Sequence, residues 1–455
     1  MSLIAWIFVV IAAVVAVRHG PGRALLAVWI PVLLLIPDAF RAITPGIPDP
    51  TSSQAAMLGL LPFVLMRYGS RWRLTFMDLL VFSYAATVFY SDLIARGYAD
   101  AQNLLINMLL SVVGPYLVAR LVIREESLHV QVARRIVIIM FALAVVGLFE
   151  AKMGFNPSHA IFGKFFPGQG GGWVTTFRHG LARVAGPFSH AILAGIMMVI
   201  AYRIHRWLEW GGHWEPRFTW FTLPWDKAKI ITFMLFLGCI LTVARGPWVG
   251  GLIGAMLVMV GRAKDRRKAL RLALLAIVLV GIVGGYGLAQ YLDIKPGQVM
   301  TMSQESALYR KELFEKYFDI AVAHAWLGWG LTTWPKVLGM PSIDNYYLLL
   351  ALMHGIPAML MLVTMMLLGA GQMVARGMKE PPGSSPLGFT FAGIFIAVFV
   401  SLGTVYMGEQ VVPMFFFVLG WAQAWRLTDA RSAAINGDES IRPTAQPIVF
   451  RGVIT

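Results

Sequence analysis

Four short stretches of this 455-residue chain hold the side chains best suited to act on an anionic or hydroxyl-bearing substrate. The first, FRHGLARVAGPFSHAILAG at residues 177–195, carries Arg178, His179, Arg183 and His190 ahead of an apolar run. Arginine presents a planar fork of N–H donors that matches a phosphate, so such a cluster reads either as an anion site or as cations snorkelling toward lipid headgroups. The second, LTVARGPWVGGLIG at 241–254, sets Arg245 between two apolar runs. A lone arginine at membrane depth costs about 2.5–3.5 kcal/mol on insertion scales, which makes Arg245 a functional candidate unless it only snorkels from a helical hairpin. Gly246 and Pro247 permit a tight turn, with Pro247 suited to the first turn of the next helix.

The third stretch, ESALYRKELFEKYFDIAVAHAWLGWGLTTW at 305–334, spaces Leu308, Phe314, Phe318 and Ala321 as the apolar face of an amphipathic helix carrying Arg310, Lys311 and Lys316. Arg310 either meets a substrate or pairs with Glu312 or Glu315 on the helix surface. The fourth, SIDNYYLLLALMHGIPA at 342–358, puts Asp344 and Asn345 at the start of an apolar run. A carboxylate in that place either caps the helix or takes the proton of an attacking hydroxyl. No zinc-ligand spacing, P-loop, Gly-x-Ser-x-Gly elbow or acidic metal cluster is present in the sequence, so no metal and no cofactor is expected. Cys239, the single cysteine, lies in an apolar run and excludes an intramolecular disulfide.

The elements that position these groups follow from composition. With 58% hydrophobic and 13% charged residues, the chain is too apolar for a soluble protein of this length and reads as all-α, polytopic and membrane-embedded. Apolar runs predict spans near 2–17, 24–37, 54–66, 76–92, 103–119, 136–150, 187–202, 230–244, 246–261, 272–289, 345–369, 387–404 and 411–425. That is thirteen, or twelve if one of the first three is re-entrant. The first lacks a basic leader and a small-residue cleavage site and reads as a retained helix.

A net charge of +15 arises mostly from Lys and Arg in alternate short loops, which the positive-inside rule places in the cytoplasm; nucleic acid is excluded as a partner. The segments 151–186 and 290–344 then lie outside, the latter as a long loop containing the amphipathic helix. Residues 1–425 read as a single transmembrane domain. Residues 426–455, ending RPTAQPIVFRGVIT, read as a disordered cytoplasmic tail.

In this order the pieces resemble the O-antigen ligase and Wzy-type polysaccharide polymerase superfamily, over roughly residues 136–425. RVAGPFSH at 183–190 matches its Arg-to-His helix start, ARGPWVG at 244–250 its Arg-Gly turn, and YRKELFEKYFDIAVAHAWLGWG at 309–330 its exterior helix. Asp344 and Asn345, with nine residues between Asn345 and Gly355, match the opening of the next helix. Family ligases have His where Asp344 stands, and the family's Ser before the turn arginine is Ala244 here.

The resemblance implies a metal-independent glycosyltransferase of the bacterial inner membrane whose active site faces the periplasm. Its donor is an oligosaccharide on undecaprenyl diphosphate, its acceptor a second glycan, and a chain-length co-polymerase is a further implied partner beside the bilayer. Arg183 and Arg245 would clamp the diphosphate and Asp344 would act as general base, with Arg310, His190, Arg178 and Asn345 as further substrate contacts. Polymerisation of exopolysaccharide or O-antigen repeat units is the first expectation. Ligation of lipid-linked glycan to the lipid A core of lipopolysaccharide is the alternative, and a polysaccharide flippase or transporter is the alternative of another class.

Overall fold

The computed structural model describes residues 4–428 apart from 44–48, 167, 170–173, 179, 219–224, 294–299, 341 and 382–385. Among the sequence expectations, His179 and most of the C-terminal tail fall outside the described residues. Each of the thirteen apolar runs coincides with a helix. In chain order they are α1 (Ile4–His19), α2 (Pro21–Leu35), α3 (Ser52–Tyr68), α4 (Phe76–Arg96), α5 (Tyr98–Glu125), α6 (His129–Met153), then, after a short α7 (Pro157–Gly163), α8 (Ala191–Trp210), α9 (Lys227–Leu241), α10 (Arg245–Arg262) and α11 (Arg266–Tyr291). The amphipathic α12 (Met302–Ala323) precedes α13 (Tyr346–Gly377), α14 (Leu387–Leu402) and α15 (Val411–Leu427). Six of them, α4, α5, α6, α8, α11 and α13, are by length and composition apolar enough to cross a membrane on their own. The chain is an all-α, multi-pass membrane protein.

Successive helices run up and down, so the connections sort to two ends of the bundle. At one end arginines are spent on helix termini. Arg266 donates to the carbonyls of Gly261 (2.9 Å), Gly377 (3.0 Å), Glu380 (2.6 Å) and Pro381 (2.9 Å), while Arg120 pairs with buried Asp78 and caps Arg73 O at 2.6 Å. Gly261 and Gly377 carry orphan carbonyls of the kind a helix C-terminus leaves, while Glu380, Pro381 and Arg73 lie in the connections. The other end, where the 177–195 and 342–345 segments meet, is organised differently and is described below.

Two backbone devices fix that second end. Helix α10, which begins with Arg245, lies against α14 at backbone contact: a Cβ on Gly254 would sit 2.3 Å from the Gly393 carbonyl oxygen. Small residues at such a crossing let two helices approach closely where lipid offers no hydrophobic drive. In α13, Gly355 (φ +84) and Pro357 break the helix after His354. The groups freed by the break are taken up by the turn that follows α12. Trp329 N donates to Leu352 O (2.8 Å), Gly330 N to Met353 O (2.9 Å), and Ile356 N to Ala325 O (2.7 Å). Every backbone polar group at such a break needs a substitute partner.

The glycines of the LGWG turn and of the break are therefore one docking joint. A Cβ on Gly355 would meet Trp326 O at 2.3 Å, in a backbone region that costs an L-residue roughly 1–3 kcal/mol. Gly355→Ala is expected to lower the unfolding temperature of the detergent-solubilised protein by several degrees; a melting curve identical to wild type would show the joint to be slack.

Helix α12 packs differently from its sequence pattern. Leu313, Tyr317 and Ala321 are the buried stripe, set against Leu348, Ala351 and Leu352 of α13. Phe314 and Phe318, expected on that face, are each about half exposed and pack on one another with centroids 5.5 Å apart. Val337 N donates to the Tyr317 hydroxyl (3.0 Å), and that hydrogen bond favours the neighbouring stripe.

Candidate active site

Between the tip of α9 and the start of α10 the chain turns in three residues, Thr242, Val243 and Ala244. Val243 stands at φ +47, a genuine outlier for a β-branched residue. The carbonyls exposed by this turn face a short hairpin, β1 (Phe177–Arg178) paired antiparallel with β2 (Leu181–Ala182). Val184 N donates to Leu241 O (3.1 Å), Arg183 Nε to Thr242 O (3.2 Å) and Arg178 Nη1 to Val243 O (3.2 Å). Two of the predicted arginines thus hold the turn that presents a third, Arg245, at the first residue of α10. Ala244 is the N-cap there and supplies no side-chain hydrogen bond, where the serine of the family pattern would supply one.

Glu150, at the end of α6 and fully buried, organises the strand of chain that follows. Its carboxylate accepts from Ala185 N (3.2 Å), Gly186 N (2.9 Å) and Asn156 Nδ2 (2.9 Å). His190 then caps α8, its Nδ1 accepting from Ile192 N at 3.1 Å. An Nδ1 that accepts leaves the proton on Nε2, so the ring is neutral. Burial pushes the His190 pKa down, and Arg183 and Arg178 push it the same way, against the opposing pull of Asp344.

At the head of α13 the cap falls to Asn345, not Asp344. Asn345 Oδ1 accepts from Tyr347 N (3.0 Å) and Leu348 N (3.2 Å). Asp344 is left half-buried with one hydrogen bond to its Oδ1, from Ser342 Oγ at 3.2 Å. Tyr309 of α12 donates to Ser342 O (2.6 Å) and so ties that segment to the amphipathic helix.

These elements enclose a cavity of about 550 Å³. Arg178, Arg183, Arg310, Lys336, His190 and Asp344 line it, together with Tyr317, Trp334, Thr404 and Tyr406. Arg245 is not among the lining residues; it is exposed, and its charge is felt at Arg178. Asn345 is not in the lining and borders a smaller apolar pocket beside Phe314. Arg310 belongs to neither of the ion pairs along α12: Glu312 pairs with Lys316 (3.3 Å) and Glu315 with Lys311 (3.9 Å).

The electrostatics are lopsided: among the described residues the lining holds Arg178, Arg183, Arg310 and Lys336 against the carboxylate of Asp344. Burial and the neighbouring Arg178 lower the Arg183 pKa to about 10. Burial, Arg245 and Arg310 lower that of Arg178, and burial lowers that of Lys336, whose ammonium sits 3.2 Å over the Trp334 ring. Arg183 is 7% exposed, and its Nη2 has no hydrogen-bond partner among the described residues. A buried donor without a partner costs about 1–3 kcal/mol, more when charged, and an anion in the cavity would relieve that cost and the mutual repulsion.

The family model for O-Antigen ligase matches residues 230–363. This match places residues 230–363 in the O-antigen ligase/Wzy superfamily. The matched stretch takes in Arg245, Arg310, Lys336, Asp344 and Gly355. It begins after Arg178, Arg183 and His190 and is shorter than the 136–425 that the motifs outline. Comparison with curated proteins finds no match. The match supports an O-antigen ligase/polymerase-type membrane glycosyltransferase in general terms. Glu150, Lys336, Thr404 and Tyr406 enter the site without having been read from the sequence. Only Glu150 carried a signal, as a lone carboxylate closing an apolar run.

Proposed function

We propose that this membrane protein polymerises oligosaccharide repeat units carried on undecaprenyl diphosphate, at the periplasmic face of the inner membrane. The observation that carries the reading is the cation-rich cavity with Asp344 as its one carboxylate, at the end of the bundle away from the arginines that cap helix termini. In this reading residues 1–425 form one membrane domain with the 290–344 loop in the periplasm, and 426–455 lie in the cytoplasm.

The donor's diphosphate is seated on Arg183, with Arg178, Arg245 and Arg310 around it; forked, charge-assisted hydrogen bonds take the place that a divalent ion holds in other glycosyl transfers. The hydroxyl oxygen of the acceptor sugar bonds to the anomeric carbon of the donor. The bond from that carbon to the diphosphate oxygen breaks, and its electron pair leaves with undecaprenyl diphosphate. The hydroxyl proton passes to the Asp344 carboxylate. His190, with its proton on Nε2, is a hydrogen-bond donor to the same space. A chain-length co-polymerase is the protein partner that polymerisation would require.

Asp344, in place of the histidine of family ligases, favours the polymerase. The match to the O-Antigen ligase family favours the ligase, which differs only in its acceptor. Lipid-linked intermediates of a deletion strain decide between them. Single repeat units that an impermeant reagent reaches at the outer face are the expected result. Full-length unattached polymer would assign the ligase, and single units shielded from the reagent would assign a flippase.

A further inference from the structure

A second cavity, of about 290 Å³, adjoins the first, sharing Tyr406 and Leu349 in its lining. It descends beside the first half of α13, and its character is the reverse of its neighbour's. Two carboxylates, Asp38 and Glu409, face it from the α2–α3 and α14–α15 connections. Arg41, Asn107, Gln54 and Ser111 add one cation and neutral amide and hydroxyl groups.

The groups are held in place. Asp38 is 4% exposed and accepts from Ser53 Oγ at 3.1 Å; Gln54 Nε2 donates to Ser111 Oγ at 3.0 Å. Glu409 stands at φ +45, a strained position for a non-glycine residue, and the next residue, Gln410, pins it by donating to Ile36 O (3.2 Å) and Pro187 O (3.1 Å). Burial pushes the Asp38 pKa up to about 7, with the Glu409 charge adding to the effect; Glu409 is itself raised by burial.

Arg41 is the one cation among its described lining residues and stands with Asp38 and Glu409, so this space lacks the arginine cluster of its neighbour and does not extend the anion site. Buried carboxylate and amide oxygens are acceptors for neutral hydroxyls, and the half-open ring of Tyr406 between the cavities offers a face for the C–H side of a pyranose. The volume is at the low end of the roughly 300–1,000 Å³ of small-molecule pockets, which suits a single sugar ring.

We infer that the Asp38–Glu409 cavity is a monosaccharide subsite: it holds one neutral sugar residue of a glycan substrate by its hydroxyls, next to the diphosphate cradle. The inference deepens the proposed function and rests on its assignment of a glycan substrate. The sugar is either the donor residue next to the diphosphate or the terminal residue of the acceptor.

The test uses the full-length protein in lipid nanodiscs and three probes, each measured by equilibrium binding. These are undecaprenyl diphosphate, the neutral repeat-unit oligosaccharide released from the cell's own polysaccharide by mild acid, and the intact lipid-linked repeat unit. Glu409→Gln removes one charged acceptor, and Asn107→Leu fills the cavity with apolar bulk. Each is expected to weaken oligosaccharide binding by about 10-fold or more, Glu409→Gln by weakening a hydrogen bond to a charged group and Asn107→Leu by losing an amide partner and space, with undecaprenyl diphosphate binding unchanged. A parallel loss for the lipid-linked unit assigns the sugar to the donor, and its retention assigns the acceptor.

Oligosaccharide binding that is absent in wild type, or untouched by both variants, overturns the subsite. Failure of wild type to bind undecaprenyl diphosphate would instead overturn the diphosphate reading, while the oligosaccharide measurements still decide the subsite.

Discussion

Arg183→Lys is expected to cut the rate of polymer formation by about 10-fold to 100-fold, and Arg183→Ala by about 100-fold to 1,000-fold, the range seen when one preorganised donor to a developing oxyanion is removed. The guanidinium does two things at once: Nε holds Thr242 O at 3.2 Å, while Nη2, buried, has no partner among the described residues. A lysine ammonium keeps the charge but is a point donor on a flexible stem, unable to cap the turn and address a diphosphate together. The two roles separate experimentally. Loss of the cap alone would lower thermal stability and leave the KM for lipid-linked donor unchanged. Loss of the diphosphate contact slows turnover in protein of normal stability. Full activity of Arg183→Lys at normal protein level would reduce Arg183 to a structural clamp on the α9–α10 turn.

That dual use shows where sequence reading reaches and where it stops. The thirteen spans were legible because each must satisfy its own backbone within an apolar run, and that requirement leaves a pattern inside every segment. The arginines were legible because a charge beside such a run is costly. What the pattern leaves out is which neighbour takes a shared role. Asp344 and Asn345 are both good caps, and only the backbone at the head of α13 shows that Asn345 takes the two N–H groups. On α12 two stripes one residue apart were both apolar enough, and the choice of Leu313 and Tyr317 over Phe314 and Phe318 was made by contacts with residues far along the chain.

Lys336, Thr404 and Tyr406 lie in connections without periodicity, so nothing in their local pattern marks them for the cavity they line. The resemblance located Gly355 and the glycines of the LGWG turn. The joint they form became visible only when the Leu352 and Met353 carbonyls were traced to Trp329 and Gly330.

With the cap on Asn345, Asp344→Asn removes no hydrogen bond from a helix end, so stability is expected to stay within about 0.5 kcal/mol of wild type, as for a surface substitution. An amide cannot take the proton of the attacking hydroxyl, and loss of a general base lowers rate by about 100-fold to 10,000-fold. The variant should therefore fold, reach the membrane and bind lipid-linked repeat units while producing almost no polymer. Asp344→His should recover a measurable part of the rate, since an imidazole can accept a proton from the same place, whereas Asp344→Ala should not. The readout is single-turnover transfer on purified lipid-linked repeats, which separates chemistry from product release. Wild-type turnover by Asp344→Asn would remove the carboxylate from the reaction. His190 would be an unsuitable replacement, because its Nδ1 is already committed to Ile192 N and its Nε2 carries the proton, so the base would then have to come from the carboxylates beyond Tyr406, Glu409 first.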